Sequence, residues 1–246
     1  MGCENDRAMN HAAHTVPLPR TAPPQAVLWD FDGTLADTEP LWIAAEFEVI
    51  EGELGRPWSM EHAEKLVGSD LIDSASYILS TIGRSDLPPI WMVQQLLGRV
   101  VAQLRTADEL PWRPGALELL AALRATGMPC ALVSASYRVL LDAVLERLPE
   151  GSFAVSVGGD EVTLGKPHPE PYEKACALLG VDARNCVVLE DSATGARSGN
   201  AAGAVVVGIP HVVDIPEAPR RVTVPTLAGL DPDMLTTLFT QAGSAD

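Results

Sequence analysis

Positive charge is scarce in this chain of 246 residues. It has 17 lysines and arginines against 33 aspartates and glutamates, which gives a net charge of −16. Such an acidic balance disfavours binding to nucleic acid or to an anionic membrane surface. A small anionic ligand stays compatible with it, because a bound metal ion reverses the sign of the local field. We therefore expect a small-molecule ligand, with no nucleic-acid partner and no membrane partner.

Cysteines and long apolar runs are also few. The four cysteines are scattered without a C-x-x-C pair, at Cys3, Cys130, Cys176 and Cys186. This distribution argues against a disulfide framework or a zinc site and favours a reducing, cytoplasmic setting. No apolar run reaches the roughly 18 residues that a membrane span needs, and we expect no secretory signal. Residues 1–24, which end in PLPRTAPP, are predicted to form a disordered or loosely packed tail.

Short apolar runs alternate with helical patterns over much of the chain. Five runs predict buried β-strands, at residues 26–30, 129–136, 153–160, 185–191 and 203–209. Helical patterns separate most of them, at residues 114–127, 136–148, 169–180 and 192–203. Alternation of this kind is typical of a parallel sheet with helices on both faces. The predicted fold class is α/β, with a Rossmann-like parallel sheet as its core.

Residues 37–111 interrupt this alternation with helical patterns alone. Gly, Pro and Ser breaks divide them into four segments, at residues 40–55, 59–68, 70–83 and 88–107. The stretch is too long for a loop without structure of its own. We expect an inserted helical cap domain here, and an α/β core domain made of residues 25–36 and 112–246. A monomer is the expected oligomeric state.

Polar side chains collect at the carboxyl ends of the predicted strands, where open parallel sheets bind ligands. The six side chains, which we call the polar rim, are Asp30, Asp32, Ser134, Lys166, Glu190 and Asp191. Four carboxylates close together would repel one another strongly without a cation. Mg²⁺ prefers carboxylate and carbonyl oxygens as ligands. The rim therefore indicates a metal site as well as a place for chemistry.

Four motifs in the chain resemble those of the haloacid dehalogenase superfamily and occur in the same order. They are DFDGTLADTEP (30–40), LVSAS (132–136), GKPHPEPY (165–172) and LEDSATG (189–195). With a helical insertion after the first motif, the chain is similar to the β-phosphoglucomutase-like branch, which has a C1-type cap. The resemblance covers residues 26–210 and implies phosphoryl-transfer chemistry with Mg²⁺.

The resemblance also implies a catalytic role for individual rim residues. Asp30 would be the nucleophile that takes the phosphoryl group as an aspartyl phosphate, a known use of a carboxylate. Asp32 would contact the phosphate, protonate the leaving group and then deprotonate water. Ser134 and the backbone N–H of Ala135 would bind phosphate oxygens. Lys166, one of three lysines in the chain, would hold nucleophile and phosphate together.

The same resemblance implies a set of metal ligands. Asp30, the backbone carbonyl of Asp32 and Asp191 would bind Mg²⁺. Glu190 points to the other face if its strand continues, so it is either a direct ligand or a partner of one.

Simpler structural roles are expected for several polar residues beside the motifs. We interpret Asp37 and Thr38 as caps of the following helix, and Ser136 as the cap of the helix that starts there. Trp42, Trp58 and Trp91 are candidates for the inner wall of the cap, although aromatic residues at helical spacing are more often core.

A phosphosugar mutase is the alternative function. The mutases of this branch carry a His near the position where this chain has Trp42. They also carry a phosphate-binding Arg in the cap, but the corresponding residues 66–78 contain neither Arg nor Lys. Residues 37–113 hold 6 basic and 13 acidic residues, a poor match for the second phosphate of a sugar bisphosphate. We therefore predict a phosphatase acting on a small phosphomonoester, such as a sugar or polyol phosphate. A non-catalytic module that binds metal and phosphate is a third interpretation, disfavoured because every polar group of the rim is present.

Overall fold

The sheet contains six parallel strands in the order β3-β2-β1-β4-β5-β6. The computed structural model describes residues 22–66 and 69–244, and the statements below concern those residues. The strands are β1 (Ala26–Trp29), β2 (Cys130–Val133), β3 (Val155–Val157), β4 (Cys186–Glu190), β5 (Val205–Gly208) and β6 (Arg221–Thr223). The first five lie within the predicted runs. The sixth, RVT, is only half-buried and has no apolar run that could have predicted it.

Strand β1 lies in the interior of the sheet and supplies both hydrophobic cores. Its Leu28 pairs with Ala131 on β2 and with Val188 on β4. Alternate residues of the strand face opposite sides, so Val27 and Trp29 join one core while Leu28 joins the other. Both faces of a parallel sheet are covered, which is why its strands read as continuous apolar runs.

Five helices pack on the sheet, one just before β2 and four after later strands. They are α5 (Ala116–Ala125), α6 (Arg138–Leu145), α7 (Glu170–Leu179), α8 (Ala193–Ala201) and α9 (Pro232–Gly243). Helices α5, α6 and α9 contribute to the core that contains Trp29, whereas α7 and α8 contribute to the core that contains Leu28. The predicted α/β Rossmann-like class is confirmed.

Four further helices lie between β1 and β2 in the chain. They are α1 (Glu39–Phe47), continued by a π-helical segment Glu48–Glu53, then α2 (Met60–Glu64), α3 (Leu71–Thr81) and α4 (Pro89–Thr106). Asp70 is the N-cap of helix α3, and its side chain accepts hydrogen bonds from the backbone N–H groups of Ile72 and Asp73. The buried residues of α4 recur every three or four positions, which gives the helix an apolar face.

The two connections between these helices and the sheet run beside each other. Ala36 and Trp112 form an antiparallel bridge. The N–H of Asp37 donates to Pro111 O at 2.8 Å, and the N–H of Arg113 donates to Leu35 O at 2.9 Å. This pairing places the start of α1 close to the end of β1.

Two predictions concern other parts of the chain. The predicted tail, residues 1–24, falls almost entirely outside the described residues, which begin at residue 22. Within the described ranges, no helix is both long enough and apolar enough for a membrane crossing.

Candidate active site

Asp30, the first residue after β1, forms a buried ion pair with Lys166. The Nζ atom of Lys166 lies 2.6 Å from Oδ1 of Asp30 and 2.7 Å from Oε1 of Glu190. It also donates to the backbone oxygen of Val133 at 3.0 Å. One ammonium group thus joins the carboxyl ends of β1, β2 and β4. Although burial opposes its charge, the carboxylates of Asp30 and Glu190 hold the pKa of Lys166 well above its usual value.

Glu190 ends β4 with both carboxylate oxygens bonded by protein groups. Oε1 accepts from the hydroxyl of Tyr172 at 2.8 Å as well as from Lys166. Oε2 accepts from the hydroxyl of Ser192 at 3.1 Å and from its backbone N–H at 3.3 Å. A Cβ atom on Gly195 would lie 1.7 Å from Oε1, so only glycine fits there. Glu190 is therefore fixed in place and orients Lys166.

Tyr172 is a member of the site that the sequence did not identify. Its hydroxyl reaches Glu190, and its ring centroid lies 4.9 Å from Nζ of Lys166. In the sequence, only its position at the end of the GKPHPEPY motif pointed to the site. Its place in a predicted helix is equally typical of a core residue.

Three carboxylates are close enough to share a metal ion. Asp30, Glu190 and Asp191 each offer an oxygen, and these atoms lie within 4.8 Å of one another. Burial and then the charge of Glu190 raise the pKa of Asp191 to about 7 and that of Asp30 well above its usual value. Because the single ammonium of Lys166 does not offset this repulsion, a hard divalent cation fits the donor set.

The backbone at Gly33 makes room for Asp191. Gly33 has a φ of +90°, and a Cβ atom there would lie 2.0 Å from Oδ2 of Asp191. The hydroxyl of Thr34 donates to Oδ1 of Asp191 at 3.3 Å. The tight turn after β1 therefore brings the first and fourth motifs together.

Asp32 lies on the other side of this turn, and four donors hold its carboxylate. Oδ1 accepts from the hydroxyl of Thr38 at 2.6 Å and from Nε1 of Trp42 at 3.4 Å. Oδ2 accepts from the hydroxyls of Ser134 at 3.0 Å and Ser136 at 2.8 Å. The side chain is thereby fixed in orientation, with donors from the sheet and from α1.

For two of these donors, Thr38 and Ser136, the structure contradicts the capping roles expected from the sequence. Thr38 occupies the N-cap position of α1 but makes no side-chain capping bond. Ser136 does not cap α6 either, because that helix starts after Tyr137 and Asp160 accepts from the N–H of Arg138. Both hydroxyls bond to Asp32 instead. Capping is a local preference, and the sequence pattern alone did not show that a carboxylate competes for these donors.

The phosphate-binding candidates after β2 lie at the same edge. Ser134 is buried and its oxygen accepts the N–H of Ser136 at 2.9 Å. Ala135 is exposed, and its N–H has no hydrogen-bond partner among the described residues. Gly159 lets the chain approach closely here, since a Cβ atom on it would lie 2.0 Å from Ala135 O. The N–H of Ala135 is therefore a free backbone donor at this edge among the described residues.

Three further side chains, Asp37, His168 and Trp58, make other contacts. Asp37 pairs with His211, whose Nε2 lies 3.2 Å from Oδ1 of Asp37. His168 accepts the N–H of Glu170 through Nδ1 at 3.2 Å, which is a local turn contact. Trp58 lies within the helical insertion and donates to Glu46.

The fold and the polar rim are typical of an enzyme that uses carboxylates at the ends of parallel strands. The sequence model of the haloacid dehalogenase-like hydrolase family matches residues 27–209. The chain therefore belongs to the haloacid dehalogenase-like hydrolase family, and the predicted superfamily and enzyme class are confirmed.

Two curated proteins illustrate the sequence relatives. Hexitol phosphatase B of Escherichia coli strain K12 is 31% identical over 207 residues, which are 78% of this chain and 86% of that protein. A bifunctional riboflavin kinase/FMN phosphatase of Arabidopsis thaliana is 30% identical over 197 residues, 76% of this chain. That match covers 48% of the Arabidopsis protein, so the chain spans about half of its length.

Two solved structures illustrate the structural neighbours. CbbY from Rhodobacter sphaeroides, in complex with phosphate, has a TM-score of 0.74 at 27% identity and covers 86% of this chain and 99% of that one. A β-phosphoglucomutase from Clostridium difficile also has a TM-score of 0.74, at 20% identity, and covers 89% of this chain and 98% of that one. The second likeness shows the fold alone.

Proposed function

We propose that this protein is a Mg²⁺-dependent phosphatase that hydrolyses a small phosphomonoester, such as a sugar or polyol phosphate. The observation that carries the proposal is the position of two carboxylates at one strand end. Asp30 pairs with Lys166 at 2.6 Å, and Asp32, two residues on, is held by Ser134 at 3.0 Å. The phosphatase names of the curated relatives support it.

Asp30 and Asp191 are the proposed side-chain ligands of the metal, with the backbone carbonyl of Asp32 as a third ligand. Glu190 belongs to the same carboxylate group, but its oxygens are bonded by Lys166, Tyr172 and Ser192, so we assign it to orientation of the site. When bound, Mg²⁺ neutralises charge on the phosphate and favours the ionised nucleophile.

The first chemical step forms a bond between a carboxylate oxygen of Asp30 and phosphorus. The bond between phosphorus and the leaving oxygen breaks, and Asp32 gives its proton to that oxygen, which releases the alcohol. Lys166 stays beside Asp30 and offsets the repulsion between the carboxylate and the phosphate. The N–H of Ala135 donates to a phosphate oxygen, and the hydroxyl of Ser134 turns from Asp32 to donate to another.

The second step hydrolyses the aspartyl phosphate. Asp32, now ionised, takes a proton from water while the water oxygen attacks phosphorus. The bond between phosphorus and Asp30 breaks, which releases inorganic phosphate and restores both carboxyl groups to their starting states.

Residues 37–111 are proposed to act as a cap domain that closes over the rim and excludes bulk water. Trp42 supports this role, since its indole reaches Asp32 from α1. We further propose that the enzyme acts as a cytoplasmic monomer.

Phosphate release from a panel of phosphomonoesters, with and without Mg²⁺, tests the proposal. Wild type is expected to release phosphate only with the metal, and Asp30→Asn is expected to release none. An Asp30→Asn protein as fast as wild type would refute the nucleophile assignment. Conversion of glucose 1-phosphate to glucose 6-phosphate with a bisphosphate primer would establish the mutase instead.

A further inference from the structure

Glu46 is a buried carboxylate in α1 with one oxygen left unbonded. The residue is 5% exposed, and its Oε2 accepts from Nε1 of Trp58 at 3.0 Å. Among the described residues none donates to Oε1, and that oxygen is not fully enclosed by protein. Burial raises the pKa of Glu46 from 4.5 to about 7, the direction expected for a carboxylate short of donors.

Aromatic side chains fix the orientation of this carboxylate. The ring of Trp58 stacks on His62, with centroids 5.0 Å apart and planes at 24°. Nδ1 of His62 in turn shares a hydrogen bond of 2.6 Å with the hydroxyl of Tyr77. These contacts fix the ring of Trp58, and its indole N–H in turn fixes the orientation of the Glu46 carboxyl group. The free oxygen Oε1 is therefore preorganised to accept a hydrogen bond.

Glu46 shares a face of α1 with Trp42, the residue of this helix that contacts the polar rim. Trp42, four residues earlier on the same face of α1, donates to Asp32 at 3.4 Å. Glu46 lies about 6 Å further along the helix axis, and long helical side chains point back toward the N-terminus. The carboxyl group therefore lies on the same face of α1 as Trp42, the residue of this helix that contacts Asp32.

We propose that Glu46 selects the substrate by accepting a hydrogen bond from a hydroxyl group on the leaving group. This inference rests on the proposed phosphatase function and narrows its substrates to hydroxylated phosphomonoesters without a second anionic group.

Charge around Glu46 acts in the same direction. At pH values above about 7, where Glu46 is ionised, its carboxylate accepts from a neutral hydroxyl but repels a phosphate or carboxylate group on the substrate. The net charge of residues 37–113, with 6 basic and 13 acidic side chains, adds to this repulsion. Sugar bisphosphates and phosphoglycolate, which carry a second anionic group, are therefore disfavoured, whereas a hexitol phosphate fits.

The test compares kcat/KM of wild type and Glu46→Gln above pH 7 for three esters: a hexitol phosphate, the hydroxyl-free p-nitrophenyl phosphate, and phosphoglycolate. The variant keeps the shape of the side chain and removes its charge. We expect kcat/KM for the hexitol phosphate to fall about tenfold, the loss of one charge-assisted hydrogen bond. The value for p-nitrophenyl phosphate should stay within about twofold, and that for phosphoglycolate should rise.

Glu51→Gln is the matched control. Glu51 is exposed and accepts the backbone N–H of Trp58 at 3.2 Å, so the control removes the same charge from the same region. This variant should leave the ratios of kcat/KM among the three esters unchanged.

Two results would overturn the inference while leaving the phosphatase proposal in place. One is an equal loss for all three esters in Glu46→Gln, which would assign the residue to cap structure. The other is a wild type that hydrolyses p-nitrophenyl phosphate but not the hexitol phosphate. A wild type without Mg²⁺-dependent turnover of any ester would overturn both proposals.

Discussion

Nζ of Lys166 lies 2.6 Å from Oδ1 of Asp30, and the two side chains are 6% and 9% exposed. The residues are 136 positions apart in the chain. A buried pair of this kind is a weak source of stability in itself, but removal of one partner leaves an uncompensated charge. Removal of either side chain should therefore destabilise the folded protein and also take away a group of the proposed mechanism.

Lys166→Met should abolish phosphate release and destabilise the metal-free protein. The carboxylates of Asp30 and Glu190 would lose their shared cation, at a cost of about 3 to 5 kcal/mol in the free energy of unfolding. Denaturant unfolding and phosphate release measure the two effects. Lys65→Met, which removes an exposed lysine paired with Glu61, should leave both unchanged. Equal behaviour of the two variants would show that the buried pair has no special role.

Asp32→Asn should separate the two chemical steps. Without the acid and base, we expect kcat to fall by about 10² to 10⁴. A p-nitrophenolate leaves without protonation, so this variant should still release a burst of p-nitrophenol that matches the enzyme concentration. Rapid-mixing absorbance measures the burst. Ser136→Ala, which removes one of four donors to Asp32, should cost far less, and a steady rate without any burst in Asp32→Asn would contradict the assigned order of steps.

Gly195→Ala should reduce activity even though alanine is the better helix former. The new Cβ atom would lie 1.7 Å from Oε1 of Glu190 and displace the carboxylate that orients Lys166. Gly98→Ala is the control within α4, where a Cβ atom meets nothing within 4 Å. That change should stabilise the protein by up to about 1 kcal/mol through helix propensity alone. Kinetics and thermal unfolding of both variants check the contrast, and an active Gly195→Ala enzyme would show that Glu190 tolerates displacement.

Glu46 should make stability fall with rising pH. Burial raises its pKa from 4.5 in the unfolded chain to about 7 in the folded protein. Its contribution is therefore complete below pH 4.5 and is lost as pH rises through about 7, because the unfolded state ionises first. Relative to Glu46→Gln, the free energy of unfolding of wild type should drop by about 3 kcal/mol across this range. Denaturant unfolding of the two proteins at several pH values measures this change. A difference in their free energies of unfolding that stays the same at every pH would contradict the prediction.

Much of the sheet and of the candidate site follows from local sequence. Strand β1 is apolar at all four positions because it is buried on both faces, and a run of this kind can be read without knowledge of its partners. The rim residues were predictable for a related reason, because the carboxyl ends of parallel strands lie at one edge of the sheet. The pairing of β1 with β4 then made Asp30 and Asp191 neighbours.

Tertiary structure alone decided which donor meets which acceptor. Thr38 and Ser136 have the sequence context of helix caps, yet Asp32 takes both hydroxyls because the turn after β1 and the end of β2 converge on it. Tyr172 reads as a core residue and becomes a partner of Glu190 through the packing of α7 on the sheet. Strand and helix patterns are properties of neighbouring residues, whereas these hydrogen bonds join side chains distant in sequence, whose approach only the folded chain determines.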